Sequence, residues 1–127
     1  MSTIPDILVV DDEPAVCWAL TQLFTLQGYR VSAVHTGAEA LTKLSERSLT
    51  HILLDAKLQD MDGLTLAAAA RARNPTAVVV LISGFYYRND PTIARALADA
   101  HIDGFIPKPF THAEVMRWVL DATPNHG

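Results

Sequence analysis

The chain has 127 residues, half of them hydrophobic, with a mean hydropathy of +0.17, a formal charge of −4 and a pI of about 5.6. That is enough apolar side chain for one domain with a core, too little charge for a disordered chain, and no basic block for direct nucleic-acid binding. A single cysteine, Cys17, excludes an internal disulfide and a zinc site of paired cysteines; "MSTIPD" lacks the basic start and apolar stretch of a signal peptide, and no apolar run approaches the ~20 residues of a membrane span, so a soluble cytoplasmic domain is expected.

The first strand is expected at 6–10, "DILVV", apolar and branched between Pro5 and a run of acids. A helix follows over 14–27, with Pro14 in its first turn, Gly28 as its stop, and Val16, Leu20, Leu23 and Phe24 at helical spacing. A weaker strand, "RVSAV", covers 30–34. The next helix, 36–47, opens on a capping box: Thr36 caps and Glu39 stands three residues on. "THILLD" at 50–55 is the third strand, and "DGLTLAAAARAR" at 62–73 is a helix ended by Asn74-Pro75. "AVVVLIS" at 77–83 is the fourth strand, followed by a helix over 90–101 with Asp90 as cap and Pro91 in the first turn. "GFIP" at 104–107 is the fifth strand, and the last helix runs over 111–122 from Thr111. Continuous apolar strands alternating with helices predict a doubly wound α/β domain with a parallel sheet buried on both faces.

In such a sheet ligands bind beyond the carboxyl ends of the strands. There the chain places Asp11 and Asp12 after the first strand, with Glu13 adding a third negative charge, Asp55 at the end of the third, Ser83 at the end of the fourth and Lys108 after the fifth. Crowded carboxylates favour a cation or else their pKa values rise. An all-oxygen set selects a hard ion such as Mg²⁺. Asp55 suits both a ligand and a nucleophile towards phosphorus, with the Lys108 ammonium and the Ser83 hydroxyl available to the phosphoryl oxygens. Singly, each residue has a plainer reading: either early acid as a helix cap, Asp55 as a turn residue, Ser83-Gly84 as a turn, Lys108 as a solvated loop lysine. Their concurrence on one rim favours the chemical reading.

In "LVVDDEP", "LLDAKLQDMDGLTL", "VVVLISG" and "GFIPKPF", taken in order, the chain resembles the receiver domains of two-component response regulators over about residues 6–122. The resemblance implies a flavodoxin-like sheet of five strands in the order 2-1-3-4-5 with five helices. It also implies one receiver domain over 1–127, with 123–127 as a tail: a complete regulator or a receiver cut from a longer one. Asp55 would be the phosphoacceptor. Asp11, Asp12 (the likelier direct ligand of the two), Asp55 and the backbone carbonyl of Lys57 would hold Mg²⁺ or Mn²⁺, Lys108 would contact the phosphoryl group, and Ser83 and Phe105 would be the switch pair. In that family the hydroxyl is drawn inward on phosphorylation, the aromatic ring follows, and the face of the fourth helix, fifth strand and fifth helix changes partners. The implied donor is a sensor histidine kinase or histidine phosphotransfer protein, and a phosphorylation-dependent homodimer is a further implied partner.

Three departures from the family pattern stand out. Gln59 replaces the usual proline four residues after the acceptor, implying a more mobile loop; Lys57 puts a positive side chain near the acceptor, with an effect on phosphoryl lifetime of undetermined sign; and "GFYYRNDP" is a few residues longer than usual, so that Tyr86, Tyr87 and Arg88 cover the site, form a partner surface or serve as an ordinary extended loop. Phe105 lacks the hydroxyl of a tyrosine. Trp18 and Trp118 fall off the apolar stripes of their helices, which marks Trp18 for the donor face and Trp118 for self-association, unless each ring lies down on its own surface. Cys17 reads as a half-buried small residue without redox function, and the five histidines (35, 51, 101, 112, 126) share no metal spacing.

Other functions fit less well. A phosphohydrolase with an aspartate nucleophile usually needs a second acid where Lys57 stands. A flavin module needs a phosphate cradle where "DDEP" would repel it. A pseudo-receiver, a pure interaction module, should have lost the acceptor or the lysine, and neither is lost.

Overall fold

The structure is a computed structural model that describes residues 4–87 and 89–120. Ten elements alternate without exception: β1 (Asp6–Val10), α1 (Pro14–Leu26), β2 (Arg30–Val34), α2 (Gly37–Glu46), β3 (His51–Asp55), α3 (Gly63–Arg73), β4 (Val78–Ser83), α4 (Pro91–Ala98), β5 (Gly104–Pro107) and α5 (His112–Leu120). All the strands pair in parallel, in the order β2-β1-β3-β4-β5. This is the doubly wound, flavodoxin-like arrangement expected from the sequence. No helix among the described residues is long and apolar enough to cross a membrane.

Strand alternation divides the core. Leu8, Val10, Ile52, Leu54, Val79 and Leu81 face one side, against Ala40 and Leu44 of α2, Leu66, Ala67 and Ala70 of α3, and Ile93 of α4. Ile7, Val9, Leu53, Val80 and Ile82 face the other, against Cys17, Leu20 and Phe24 of α1 and Val115 and Val119 of α5. Successive side chains of a strand point to opposite faces, so a strand covered twice must be apolar throughout. The central β3 and β4 are buried at every position, while β2, at the edge, is not.

Local chemistry sets the helix starts. Thr36 Oγ1 accepts from Glu39 N–H, Asp62 from Leu64 N–H and Asp90 from Thr92 N–H. Thr111 and Glu114 form a reciprocal box at α5, the Thr111 hydroxyl accepting from Glu114 N–H at 3.2 Å and the Glu114 carboxylate accepting from Thr111 N–H at 3.0 Å.

Several expectations need correction. The fourth helix stops at Ala98 rather than at residue 101; Ala100 takes a left-handed φ of +60° and His101 N–H returns to the Ala96 carbonyl. The reason is tertiary: Arg71 of α3 donates to the Ala100 carbonyl at 2.9 Å and pairs with Asp103 at 2.6 Å. Trp118 is not an outlying ring. It is half-buried against the α1/α5 core and lies over Gly104 of β5, where any Cβ would overlap the indole. Cys17 is fully buried, its thiol donating to the Asp11 carbonyl at 3.3 Å, and burial pushes it up to about 11, which keeps it protonated. Trp18 is exposed, as expected. Residues 121 and 122 of the last expected helix, the tail 123–127, Arg88 and His126 lie outside the described residues.

Candidate functional site

The five strands deliver their carboxyl ends to one rim. The chain leaves β1 into Asp11, β3 ends on Asp55, β4 ends on Ser83, and Lys108 follows β5. Asp11, Asp12, Glu13 and Asp55 each present a carboxylate oxygen, and these four atoms lie within 4.8 Å of one another. Lys108 Nζ enters among them, 2.7 Å from Glu13 Oε1, 3.0 Å from Asp11 Oδ2 and 3.8 Å from Asp55 Oδ2. The residues grouped from the sequence therefore do converge.

Neither early aspartate caps α1. The cap position belongs to Glu13, whose side chain makes no capping bond, and Asp11 Oδ1 accepts instead from Glu13 N–H at 2.9 Å. Asp11 is buried, and its Oδ2 receives no hydrogen bond within the described residues, only the charge of Lys108 beside it. Burial raises the Asp11 pKa, against the pull of the Glu13 amide and of Lys108. Burial, reinforced by the Asp11 charge, raises Asp55 to about 6, with Lys108 pulling it down. For Lys108 burial works against the charge, but Glu13, Asp11 and Asp55 more than offset it and the pKa rises. The cluster is an excess of negative charge, buried at Asp11 and Asp55 and open to solvent at Glu13, incompletely neutralised by one ammonium. An all-oxygen set of this kind fits a hard divalent ion such as Mg²⁺ or Mn²⁺.

Ser83 is 1% exposed, and its Oγ accepts from Phe85 N–H at 2.8 Å and Tyr86 N–H at 3.1 Å. The hydroxyl thus holds its own loop. Phe105, three residues before Lys108, is buried in the α2/α3/α4 core beside β4, so its ring already points inward. Lys57 is exposed and forms no ion pair with Asp55. Its Nζ stands 4.4 Å from the Phe85 ring centroid and 5.9 Å from that of Tyr86, the two rings meeting edge to face. Tyr87 points to solvent.

Two participants escape sequence reading. Glu13, which reads as one more acid in a run, is the shortest contact of Lys108 across 95 positions of chain. His35 places Nδ1 3.2 Å from the Asp11 carbonyl oxygen, on the protein side of the cluster. No local pattern announces either.

Comparison with known proteins identifies the family. A family model described as the response regulator receiver domain matches residues 7–120. The transcriptional regulatory protein KdpE of Mycobacterium tuberculosis is 35% identical over 104 residues, covering 82% of this chain and 44% of that protein. The transcriptional regulatory protein ZraR of Escherichia coli K12 is 32% identical over 104 residues, covering 82% of this chain and 23% of its own length. This chain therefore spans less than half of these relatives. Among solved structures, a CheY-like receiver domain protein from Methanospirillum hungatei superposes with a TM-score of 0.86 at 25% identity, covering 94% of this chain and 93% of that one. The response regulator TrrA of Thermotoga maritima, solved in complex with Mg(2+)-BeF, superposes with a TM-score of 0.78 at 25% identity, covering 93% and 98%.

Proposed function

From the premise that the chain belongs to the family of response regulator receiver domains, we propose that it is a phosphorylation-activated switch whose acceptor is Asp55. The observation that carries this reading is the cluster itself: four carboxylates within 4.8 Å, with Lys108 Nζ among them. With its pKa near 6, Asp55 is mostly ionised at pH 7 and available as a nucleophile. A carboxylate oxygen of Asp55 forms the new P–O bond. The bond from phosphorus to the donor breaks, a P–N bond for a phosphohistidine, and the electron pair leaves with the imidazole, which takes a proton.

A divalent ion, Mg²⁺ in our reading, would be held by Asp11, Asp12, Asp55 and the Lys57 carbonyl, and would neutralise charge on the phosphoryl oxygens. The Thermotoga relative's complex with Mg(2+)-BeF supports that assignment. Lys108 then has two roles: it partly neutralises the carboxylates before transfer, and it moves from Glu13 and Asp11 towards a phosphoryl oxygen. Ser83 donates to another of these oxygens once its Oγ leaves the Phe85 and Tyr86 amides. That exchange frees the β4–α4 loop and alters the surface of α4, β5 and α5, where partners would be chosen. Because Phe105 is already inside, its ring needs no inward swing, and the loop carries the change. Any loss of the phosphoryl group through the domain's own action would be slow. A sensor histidine kinase or histidine phosphotransfer protein would be the donor, docking on the side of α1 that exposes Trp18. A phosphorylation-dependent homodimer would use the α4/β5/α5 face rather than the Trp118 ring, which is committed to β5.

Intact-mass spectrometry after incubation with Mg²⁺ and acetyl phosphate tests the reading. We expect a single phosphoryl adduct, abolished by EDTA and absent from Asp55→Asn. No adduct with any donor would leave a pseudo-receiver, an interaction module without phosphotransfer.

A further inference from the structure

The loop from Asp55 to Gly63 carries the carbonyl assigned to the metal, yet has Gln59 where a proline would stiffen it. It is nonetheless closed on itself. Gly63 N–H donates to the Ala56 carbonyl at 2.8 Å, Leu58 N–H to the Met61 carbonyl at 3.2 Å, and Lys57 and Asp62 form an antiparallel bridge. Leu58 is buried and Met61 packs against the same core. These ties fix the loop's shape, and Ala56 N–H, donating to the Ile82 carbonyl at 3.1 Å, anchors its start to β4.

Asp60 supplies the tie at the far side of the loop, to α2. Its Oδ1 accepts from Gly37 N–H at 2.8 Å and its Oδ2 from Ala38 N–H at 3.0 Å, the first two amides of α2. Those amides have no partner within their own helix, and a carboxylate at a helix N-terminus is also favoured by the helix dipole. The two bonds hold the Asp60 pKa below the usual carboxylate range, so the carboxylate form is the one the amides favour. Close approach is built in: a Cβ on Gly37 would overlap the Met61 side chain. Thr36 caps the next amide, that of Glu39, without touching the loop. The first turn of α2 is therefore capped from two sources, one of them the acceptor loop.

We infer that Asp60 is a positioning residue for the phosphoacceptor site: by clamping the acceptor loop to the N-terminus of α2, it sets the Lys57 carbonyl at the distance the metal requires. The inference rests on the reading of the cluster as a divalent-ion and phosphoacceptor site. It assigns to Asp60, a residue that ligates nothing, the role left open by the absent proline. Partners one step removed from a metal typically change affinity by 10- to 100-fold when lost. Acting through backbone, Asp60 belongs at the lower end of that range.

The test uses the whole chain and Mn²⁺, with free ion counted by electron paramagnetic resonance. Asp60→Ala should raise the Kd for Mn²⁺ about tenfold, and Asp60→Asn, which retains one carbonyl acceptor, should recover part of it. Thr36→Ala removes a cap from the same helix and serves as the control for helix damage. It should lower Tm as Asp60→Ala does and leave the Kd at the wild-type value. In the metal-free protein, hydrogen exchange at the Leu58 and Gly63 amides should quicken in Asp60→Ala but not in Thr36→Ala. If wild type binds Mn²⁺ and Asp60→Ala binds it equally well, Asp60 is a helix cap only and the inference is overturned. If wild type binds no Mn²⁺, the reading of the cluster falls first, and the inference with it.

Discussion

Lys108 shows what a single charge does in this rim. Among the described residues it is the one cation paired with the cluster, yet its nearest partner is Glu13 and not the proposed acceptor. Removing it leaves Asp11 and Asp55 buried with no positive neighbour, and the Asp55 pKa, already raised to about 6, must rise further because a lowering influence is lost. In Lys108→Met, we expect the Asp55 carboxyl resonance to titrate at higher pH than in wild type. Phosphorylation by acetyl phosphate should slow by about a hundredfold, the usual scale for losing one preorganised donor to a developing oxyanion. An unmoved Asp55 titration would mean that the ammonium does not act on that carboxylate. Sequence alone placed Lys108, Asp11, Asp55 and Ser83 on one rim, because strand ends in a parallel sheet are fixed by the fold. It missed the Glu13 contact, because nothing local to either residue indicates that one reaches the other.

Among the elements, helix starts were legible and helix ends were less so. Thr36, Asp90 and Thr111 cap where the pattern placed them, because capping is a contact within a few residues. The run "ALADAH" favours helix to its last residue, and the actual stop comes from α3: Arg71 donates to the carbonyls of Ala100, Pro75 and Ala77 and pairs with Asp103. The cost appears at Ala100, a residue with a Cβ held at φ +60°. Left-handed backbone costs an L-residue roughly 1–2 kcal/mol, partly offset in a glycine variant by greater freedom when unfolded. Ala100→Gly should therefore raise stability by up to about 1 kcal/mol, seen as a higher denaturant midpoint at unchanged slope. A lower midpoint would show that the turn carries no such strain. Trp118 illustrates the same limit: helical periodicity placed it off the stripe, but the ring's seat is a gap on β5 left by Gly104.

Over the whole molecule, two buried groups oppose one another on acidification. His51 is buried at the start of β3, its Nδ1 2.8 Å from Thr50 Oγ1 and its Nε2 without a hydrogen-bond partner among the described residues, and burial lowers it to about 4. A histidine depressed in the folded state gives stability above its unfolded pKa near 6.5 that is lost as pH falls towards 4. Asp55 is the reverse. Raised to about 6 from 3.8, it binds its proton more readily when folded, so the metal-free protein gains stability as pH falls through 6. Each effect is roughly 2 kcal/mol between about pH 6 and 4 and they nearly cancel. In EDTA, relative to wild type, Asp55→Asn should lose roughly 2 kcal/mol on acidification across that range and His51→Leu should gain about as much. Parallel slopes for both variants and wild type would refute this account.

The Arg71 clamp also has a mechanical consequence. It grips the turn just beyond the C-terminal end of α4, while the other end abuts the loop held by Ser83. Eight helical residues make an arm of about 12 Å, so a tilt of about ten degrees about the clamped end carries Pro91 through roughly 2 Å and leaves Ala98 almost where it was. Any displacement that the switch produces on that surface would be graded along the arm, greatest nearest Ser83 and vanishing towards the fulcrum.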